Sequence, residues 1–165
     1  MTSIEDLIAV LTLEKKTETE FIGISKTIGS PNVFGGQVLA QALSAANNSI
    51  ANERILHSLH AYFLEAGNLE LPITYVVNDM RNGGSFSTRR VTAKQEDKTI
   101  FILSASFHKQ EDGHEHQHEL EEDIKQPEKL LSWDDMLNQF GDFLPKKMKA
   151  FLEIERPIDF KPTFI

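Results

Sequence analysis

Residues 30–52 contain no Asp, Glu, Lys, Arg or His, although 25% of the whole chain is charged. Within this stretch, apolar side chains recur at the three- and four-residue spacing of an α-helix: Val38, Leu39, Ala42, Leu43, Ala45 and Ala46. Pro31 and the pair Gly35 and Gly36 mark the start of the helix, and polar residues at 47–49 weaken its end. The remaining side holds only Ala, Ser and Gln. We therefore predict a helix that is buried on all sides and needs a large apolar surface around it.

The chain after this helix supplies four β-like runs. They are rich in bulky and aromatic residues and are separated by turn signals, of which Asn82-Gly83-Gly84 is the strongest because a tight hairpin needs φ > 0. The predicted strands are Arg54–Leu64, Ile73–Arg81, Ser85–Glu96 and Thr99–Lys109. Before the helix, residues 3–11 favour a short helix and residues 13–25 one or two strands. This order predicts an α+β chain with a hotdog fold, an antiparallel sheet wrapped around a central helix.

The first long strand is apolar on both sides. Strict alternation places Ile55, His57, Leu59, Ala61 and Phe63 on one face, and Leu56, Ser58, His60, Tyr62 and Leu64 on the other. Because exposed apolar faces are usually covered, we predict a homo-oligomer that associates through the hotdog sheet.

Composition excludes several classes of function. The net charge of −8 argues against nucleic-acid binding, which needs clustered Lys and Arg, and the absence of cysteine excludes disulfides and thiol chemistry. No secretory signal or membrane span is recognisable, so a cytoplasmic location is predicted. The histidines of residues 113–118 lack the spacing of a metal site. We expect no metal and no cofactor.

The composition changes after residue 110. Residues 111–128 hold eight acidic residues against one Lys, and residues 128–154 have a helical pattern that breaks near 141–145. Residues 155–165 alternate like a new strand. We predict a hotdog domain at 1–110, an acidic linker at 111–127, a helical connecting segment at 128–154 and, at 155–165, the start of a second hotdog that is missing from the chain.

Five segments together resemble the N-terminal half of the acyl-CoA thioesterase II (TesB-type) family. They are Val33–Leu43, Leu56–Leu64 with Gly67, Arg81–Val91, Ile100–Phe107 and, more weakly, Glu115–Gln117 with Arg156 and Pro157. The resemblance implies hydrolysis of fatty acyl-CoA to free fatty acid and CoA by two fused hotdogs. It also implies that the water-activating Asp, Thr or Ser, and Gln belong to the second hotdog, beyond residue 165.

Thioester hydrolysis requires an activated water and donors for the oxyanion. A helix N-terminus offers free N–H groups, so Gly35, Gly36 and Gln37 are candidate substrate-binding residues, although the glycines also suit a tight turn. His57 is the only candidate general base on an apolar strand face, although a lone His at such a place is more often a core or interface residue. His60 is predicted to lie on the opposite face, which excludes a dyad.

A basic group surrounds the predicted hairpin: Arg81, Arg89, Arg90 and Lys94. Because Arg89 and Arg90 point to opposite faces, one can meet a CoA phosphate while the other forms a local salt bridge. Arg81, Arg89 and Arg90 are therefore candidate binding residues, with solvated strand charges as the alternative for each.

Two further classes of function compete with a thioesterase. One is a non-catalytic hotdog module for binding or assembly. The other is a hotdog hydratase or dehydratase, which relies on an Asp–His pair early in the central helix. Residues 27–52 contain neither Asp nor His, which counts against that class.

Overall fold

A computed structural model describes residues 2–51, 53–119 and 125–163. The chain divides into two compact units, Glu5–Asp112 and, together with Thr2–Ile4, Gly113–Ile165. The elements of the first unit are α1 (Ile4–Leu11), β1 (Glu14–Lys15), β2 (Glu20–Gly23), α2 (Gly35–Asn47), β3 (Arg54–Phe63), β4 (Ile73–Asn82), β5 (Phe86–Gln95) and β6 (Lys98–Lys109). The predicted central helix and all four predicted long strands are present, with ends that move by no more than two residues.

The six strands form one antiparallel sheet in the order β1-β2-β4-β5-β6-β3. α2 packs across β4, β5 and β6, on the face that we call the inner face. Large buried side chains of this face, among them Phe21, Tyr75, Phe101 and Phe107, form the core. A sheet wrapped on a central helix is the predicted α+β hotdog fold, which is thereby confirmed.

Burial of α2 differs from the prediction. One side of the helix is buried, with Gln37, Val38, Gln41, Ala42, Ala45 and Ala46. On the other side Leu39, Ala40 and Leu43 are half-buried, and Gly36 and Asn47 are exposed. The prediction of burial on all sides is therefore wrong for these residues, because the sheet of this unit covers only one side of the helix.

A buried polar cluster joins α2 to its surroundings. The Gln41 Nε2 donates to the backbone carbonyls of Val10 and Ile24 at 2.7 and 3.0 Å, and its Oε1 accepts from the Tyr75 hydroxyl at 2.7 Å. Burial raises the pKa of the Tyr75 phenol. A Cβ on Gly23 would lie 2.8 Å from the Gln41 carboxamide, so glycine leaves the space that this cluster needs. The cluster fixes α2 against α1, β2 and β4.

The second unit contains a 3₁₀ helix (Pro127–Lys129), α3 (Trp133–Phe140) and α4 (Lys146–Leu152). Ser132 caps α3 in a capping box with Asp135, and its hydrogen bonds lower the pKa of the Asp135 carboxyl. The break between α3 and α4 agrees with the one predicted near 141–145.

Residues 155–163 form no strand. The Phe160 ring stacks on Trp133 with centroids 4.4 Å apart, and the Trp133 amide donates to the Phe160 carbonyl at 3.0 Å. The segment thus finds its backbone partner in α3. The predicted domain boundaries and the start of a second hotdog stay predictions.

Candidate active site at the start of helix α2

The N-terminus of α2 presents uncapped backbone donors. Phe34 occupies the N-cap position in an extended conformation and makes no side-chain cap. Its carbonyl accepts from the amides of Gln37 and Val38. The first amides of a helix, here those of Gly35 and Gly36, have no acceptor within the helix. This end of α2 therefore combines donors with the positive end of the helix dipole.

A cavity of about 350 Å³ lies beside the first of these donor residues, Gly35. Its lining is mostly apolar: Asn32, Val33, Gly35, Val38, Phe63, Leu64, Glu65, Ala66, Gly67 and Ile100. A predominantly apolar cavity with a few polar groups is typical of a small-molecule site. The donors of α2 and the apolar lining can therefore serve one ligand that has a polar centre and an apolar tail.

Glycine at position 35 leaves room for the Phe63 ring to pack against the start of α2. A Cβ there would lie 2.9 Å from the Phe63 Cε1 atom, so any side chain would press on the ring that lines the cavity. Two further lining residues are joined by a hydrogen bond of 3.0 Å from the Val33 amide to the Gly67 carbonyl. These backbone and ring contacts thus help to shape the cavity.

The Gln37 side chain turns away from the cavity. It is buried, its Nε2 donates to the Ile24 carbonyl at 2.9 Å, and its Oε1 accepts from the Lys26 amide at 3.3 Å. These bonds anchor the start of α2 to the segment that follows β2. A direct contact of Gln37 with substrate stays a prediction, and the bonds indicate a positioning role.

A β-bulge changes the predicted faces of β3. Leu56 pairs with Phe107 and Ser58 with Ser106, so His57 is the extra residue and the alternation reverses there. Leu56, Leu59, Ala61 and Phe63 belong to the inner face, while Ile55, Ser58, His60 and Tyr62 belong to the outer face. The predicted grouping of His57 with Leu59, Ala61 and Phe63 is wrong, because a bulge leaves no mark in the apolar pattern.

His57 lies on the outer face as well. Its Nε2 is 2.9 Å from the Ser106 Oγ, and its ring meets Phe86 edge-on at 5.5 Å. His57 and His60 therefore share a face, contrary to the prediction, although the structure shows no hydrogen bond between them. Since α2 packs on the inner face, the sheet separates His57 from the amides of Gly35 and Gly36. Its predicted catalytic role stays a prediction.

The two adjacent arginines of β5 have different surroundings. Arg89 is 3% exposed on the inner face and forms a salt bridge with Asp79 at 2.9 Å. It also donates to the Ser49 hydroxyl and to the carbonyls of Ser49, Arg81 and Thr88. Its guanidinium is thus occupied within the fold, and contact with substrate stays a prediction.

Arg90 and Arg81 lie on the outer face. Arg90 is exposed and stands between Asn78 and Ser104 on the neighbouring strands, and Arg81 stands opposite Thr88. Neither side chain has an ion pair or hydrogen bond with another described residue. Both are therefore available to an anion, but on the side of the sheet away from α2. Their predicted contact with a CoA phosphate stays a prediction.

The sequence reasoning missed Glu65. This residue belongs to the lining of the cavity, one residue beyond Leu64, where the chain leaves β3. Its position between the predicted strand and Gly67 was the only available signal. Glu65 is the one acidic residue of that lining, so it is a candidate to orient or deprotonate a water there.

No group of three or more His, Asp or Glu side chains that could hold a metal ion was found in ranges 2–51, 53–119 and 125–163. Within those ranges, no helix has the length and apolar character needed to cross a membrane.

Comparison with known proteins identifies relatives over nearly the whole chain. The family model of the acyl-CoA thioesterase N-terminal domain matches residues 25–108. Acyl-CoA thioesterase 2 of Haemophilus influenzae is 40% identical over 162 residues, which cover 98% of this chain and 56% of that protein. Human acyl-coenzyme A thioesterase 8 is 37% identical over 161 residues, covering 93% of this chain and 50% of that protein.

A solved structure gives the same result for the fold. The tesB protein of Mycobacterium avium subspecies paratuberculosis superimposes with a TM-score of 0.70 at 35% identity, covering 77% of this chain and 50% of that one. The chain spans about half the length of the relatives that it matches.

Proposed function

Because the chain belongs to the acyl-CoA thioesterase N-terminal domain family, we propose that it takes part in the hydrolysis of fatty acyl-CoA to free fatty acid and CoA. The observation that supports this most directly is that the N-terminus of α2 lies next to a cavity. Gly35, whose amide is uncapped at the start of α2, lines a mostly apolar space of about 350 Å³.

In this proposal the thioester carbonyl points at the start of α2. The developing oxyanion accepts hydrogen bonds from the Gly35 and Gly36 amides, and the helix dipole adds to its stabilisation. The acyl chain lies along Val33, Val38 and Phe63, which line the cavity. Water attacks the carbonyl carbon, the C–S bond breaks, and the CoA thiolate takes up a proton as it leaves.

The group that activates the water follows one of two routes. Glu65 is the acidic residue of the cavity lining, and it would act as general base if the chain is active alone. The resemblance to TesB-type enzymes favours the other route, with Asp, Thr and Gln beyond residue 165. The chain then shapes the substrate site and catalysis needs the second hotdog.

Substitution of Gly35 tests the role of the amide. Gly35 is the first residue of α2, where proline is well tolerated, and the extended Phe34 before it is compatible with proline. Gly35→Pro removes the N–H, whereas Gly35→Ala keeps it and adds the same Cβ beside Phe63. We expect Gly35→Pro to lower kcat about 100-fold relative to Gly35→Ala, as for the loss of one oxyanion donor.

The assay is thiol release from medium- and long-chain acyl-CoA by the 165-residue chain, with folding checked by circular dichroism. Equal activities of the proline and alanine variants would exclude the Gly35 amide as an oxyanion donor. A folded chain without turnover would instead restrict this half to shaping the substrate site. Loss of activity in Glu65→Gln would assign water activation to the chain itself.

A second candidate function, an assembly module, is favoured by the edge strand β3. Its ten residues end the sheet, and Ile55, Tyr62 and Phe63 are each about 60% exposed. A long apolar edge strand readily pairs with another strand. The homo-oligomer predicted from the sequence would therefore form through β3.

Sedimentation at micromolar concentration tests the assembly. We expect an associated species that Ile55→Lys dissociates, because a charge on an edge strand opposes pairing. Thr92→Lys serves as the control, because it places the same charge on the outer face of β5, which is not an edge strand. A monomer at this concentration would contradict the assembly. The predicted cytoplasmic location stays a prediction that cell fractionation can test.

A further inference from the structure

Four strands contribute no carboxylate to the outer face of the sheet, and the one acidic group among the described residues that contacts their outer-face side chains is Glu111, just after β6, which pairs with His108 at 3.2 Å. β3, β5 and β6 contain no Asp or Glu, and the single acidic residue of β4, Asp79, belongs to the inner face with Arg89. The same face carries Arg81, Arg90 and Lys94. The strand residues of this face are therefore basic or neutral, although the whole chain has a net charge of −8.

Hydrogen-bond donors cross this face in two adjacent rows. Cross-strand pairing aligns Asn78, Arg90, Ser104 and His60 in one row, and Arg81, Thr88, Ser106 and Ser58 in the next. Residues directly opposite on neighbouring strands share a face and lie about 5 Å apart. Every member of both rows can donate a hydrogen bond. Such a surface suits a ligand that only accepts hydrogen bonds.

A depression of about 240 Å³ lies over the first row and the residues beside it. Its lining includes Arg90, Ser104 and His60 together with Tyr62 and Ile102. The rings of His60 and Tyr62 meet edge-on at 4.8 Å, and Tyr62 is 58% exposed. Polar donors thus adjoin an aromatic and aliphatic surface within one concave site.

We propose that this depression binds a soluble phosphate monoester. The Arg90 guanidinium makes charge-assisted hydrogen bonds to two phosphate oxygens, and Ser104 and His60 donate to the remaining acceptors. Tyr62 and Ile102 contact the organic part of the ester. The site goes beyond the proposed hydrolysis, because α2 and its cavity lie on the other side of the sheet.

The small extent of the depression favours a small molecule over a membrane or a nucleic acid. One arginine lies within it, whereas binding to a polyanionic surface depends on many basic residues in contact at once. A single phosphate needs only one guanidinium and a few neighbouring hydrogen-bond donors, and the first row supplies both.

Calorimetric titration of the 165-residue chain with AMP, inorganic phosphate and adenosine tests the proposal. We expect AMP to bind more tightly than inorganic phosphate, and adenosine more weakly than either. Arg90→Ala should weaken AMP binding at least about tenfold, the effect of losing one bidentate contact, and Arg90→Lys should restore part of it.

Lys94→Ala is the matched control. Lys94 lies on the same strand and face, about 13 Å along β5 from Arg90, and carries the same charge. We expect it to change AMP binding less than twofold. Equal weakening by both variants would reduce the effect to diffuse attraction and overturn the site. So would equal binding of adenosine and AMP, absence of AMP binding by the folded chain, or binding only to vesicles of anionic lipid.

Discussion

The two faces of the sheet carry the same types of side chain in different surroundings. On the inner face, Arg89 and Tyr75 are buried and fully hydrogen-bonded within the fold. On the outer face, Arg90 and Tyr62 are exposed and border a depression. A residue type on a strand therefore indicates a role only when its face is known, and the face depends on registers that a single sequence does not reveal.

The largest expected effect separates the two arginines. Arg89→Ala leaves Asp79 without its partner and the carbonyls around Ser49 without a donor. We expect a loss of about 3 kcal/mol in the free energy of unfolding, as for breaking a buried hydrogen-bond network, because Arg89 is buried although Asp79 is exposed. Arg90→Ala should change it by less than about 0.5 kcal/mol, because exposed side chains contribute little. Urea denaturation followed by circular dichroism measures both, and similar losses would break the comparison.

A smaller effect separates the two tyrosines. Tyr75→Phe leaves the buried Oε1 of Gln41 without a donor, so we expect a loss of about 1.5 kcal/mol in the free energy of unfolding. Tyr62→Phe removes a hydroxyl that solvent already reaches, and should change it by less than about 0.5 kcal/mol. The same denaturation experiment decides, and equal losses would show that the cluster around Gln41 adds no stability.

The same phenol predicts a dependence on pH. Burial raises the pKa of Tyr75 in the folded state above that in the unfolded state, so its contribution is complete below the unfolded value of about 10. Above that value the unfolded phenol loses its proton first. The free energy of unfolding should then fall by about 1.4 kcal/mol per pH unit. Tyr75→Phe should abolish this component, and an unchanged alkaline slope would contradict the assignment.

The smallest expected effect concerns His57. Since the sheet lies between His57 and the start of α2, His57→Ala should change the rate of acyl-CoA hydrolysis by less than about twofold, in the chain or in any longer protein that contains it. The assay is thiol release under saturating substrate. Loss of turnover in a folded variant would place chemistry on the outer face and reverse the assignment of the two faces.

Much of the fold could be predicted because its signals are local. Apolar spacing gave α2, the Asn82-Gly83-Gly84 turn gave the hairpin, and residues 3–11 gave α1. The bulge at His57 could not be predicted, because the apolar pattern of β3 does not reveal an extra residue. The bulge is defined only by the pairing of β3 with β6. For that reason His57 and His60 were placed on different faces.

The candidate site was predicted in part. Gly35 and Gly36 could be identified from the sequence, because a pair of glycines before an apolar helical pattern indicates a turn and allows a ligand to approach the backbone closely. Gln37 was chosen by proximity in sequence, although helical geometry turns its side chain toward Ile24. Glu65 was missed because its place in the cavity depends on how the end of β3 and the segment before α2 meet in space.

The distribution of aromatic side chains allows each unit to be observed separately. The single tryptophan, Trp133, lies in the second unit, stacked on Phe160 and beneath the Arg156 guanidinium at 4.8 Å. Both tyrosines lie in the first unit. Tryptophan emission thus reports melting around α3 in the second unit, and tyrosine absorbance reports melting of the sheet. One sample of the intact chain can therefore show whether the two units unfold in one cooperative step or in two.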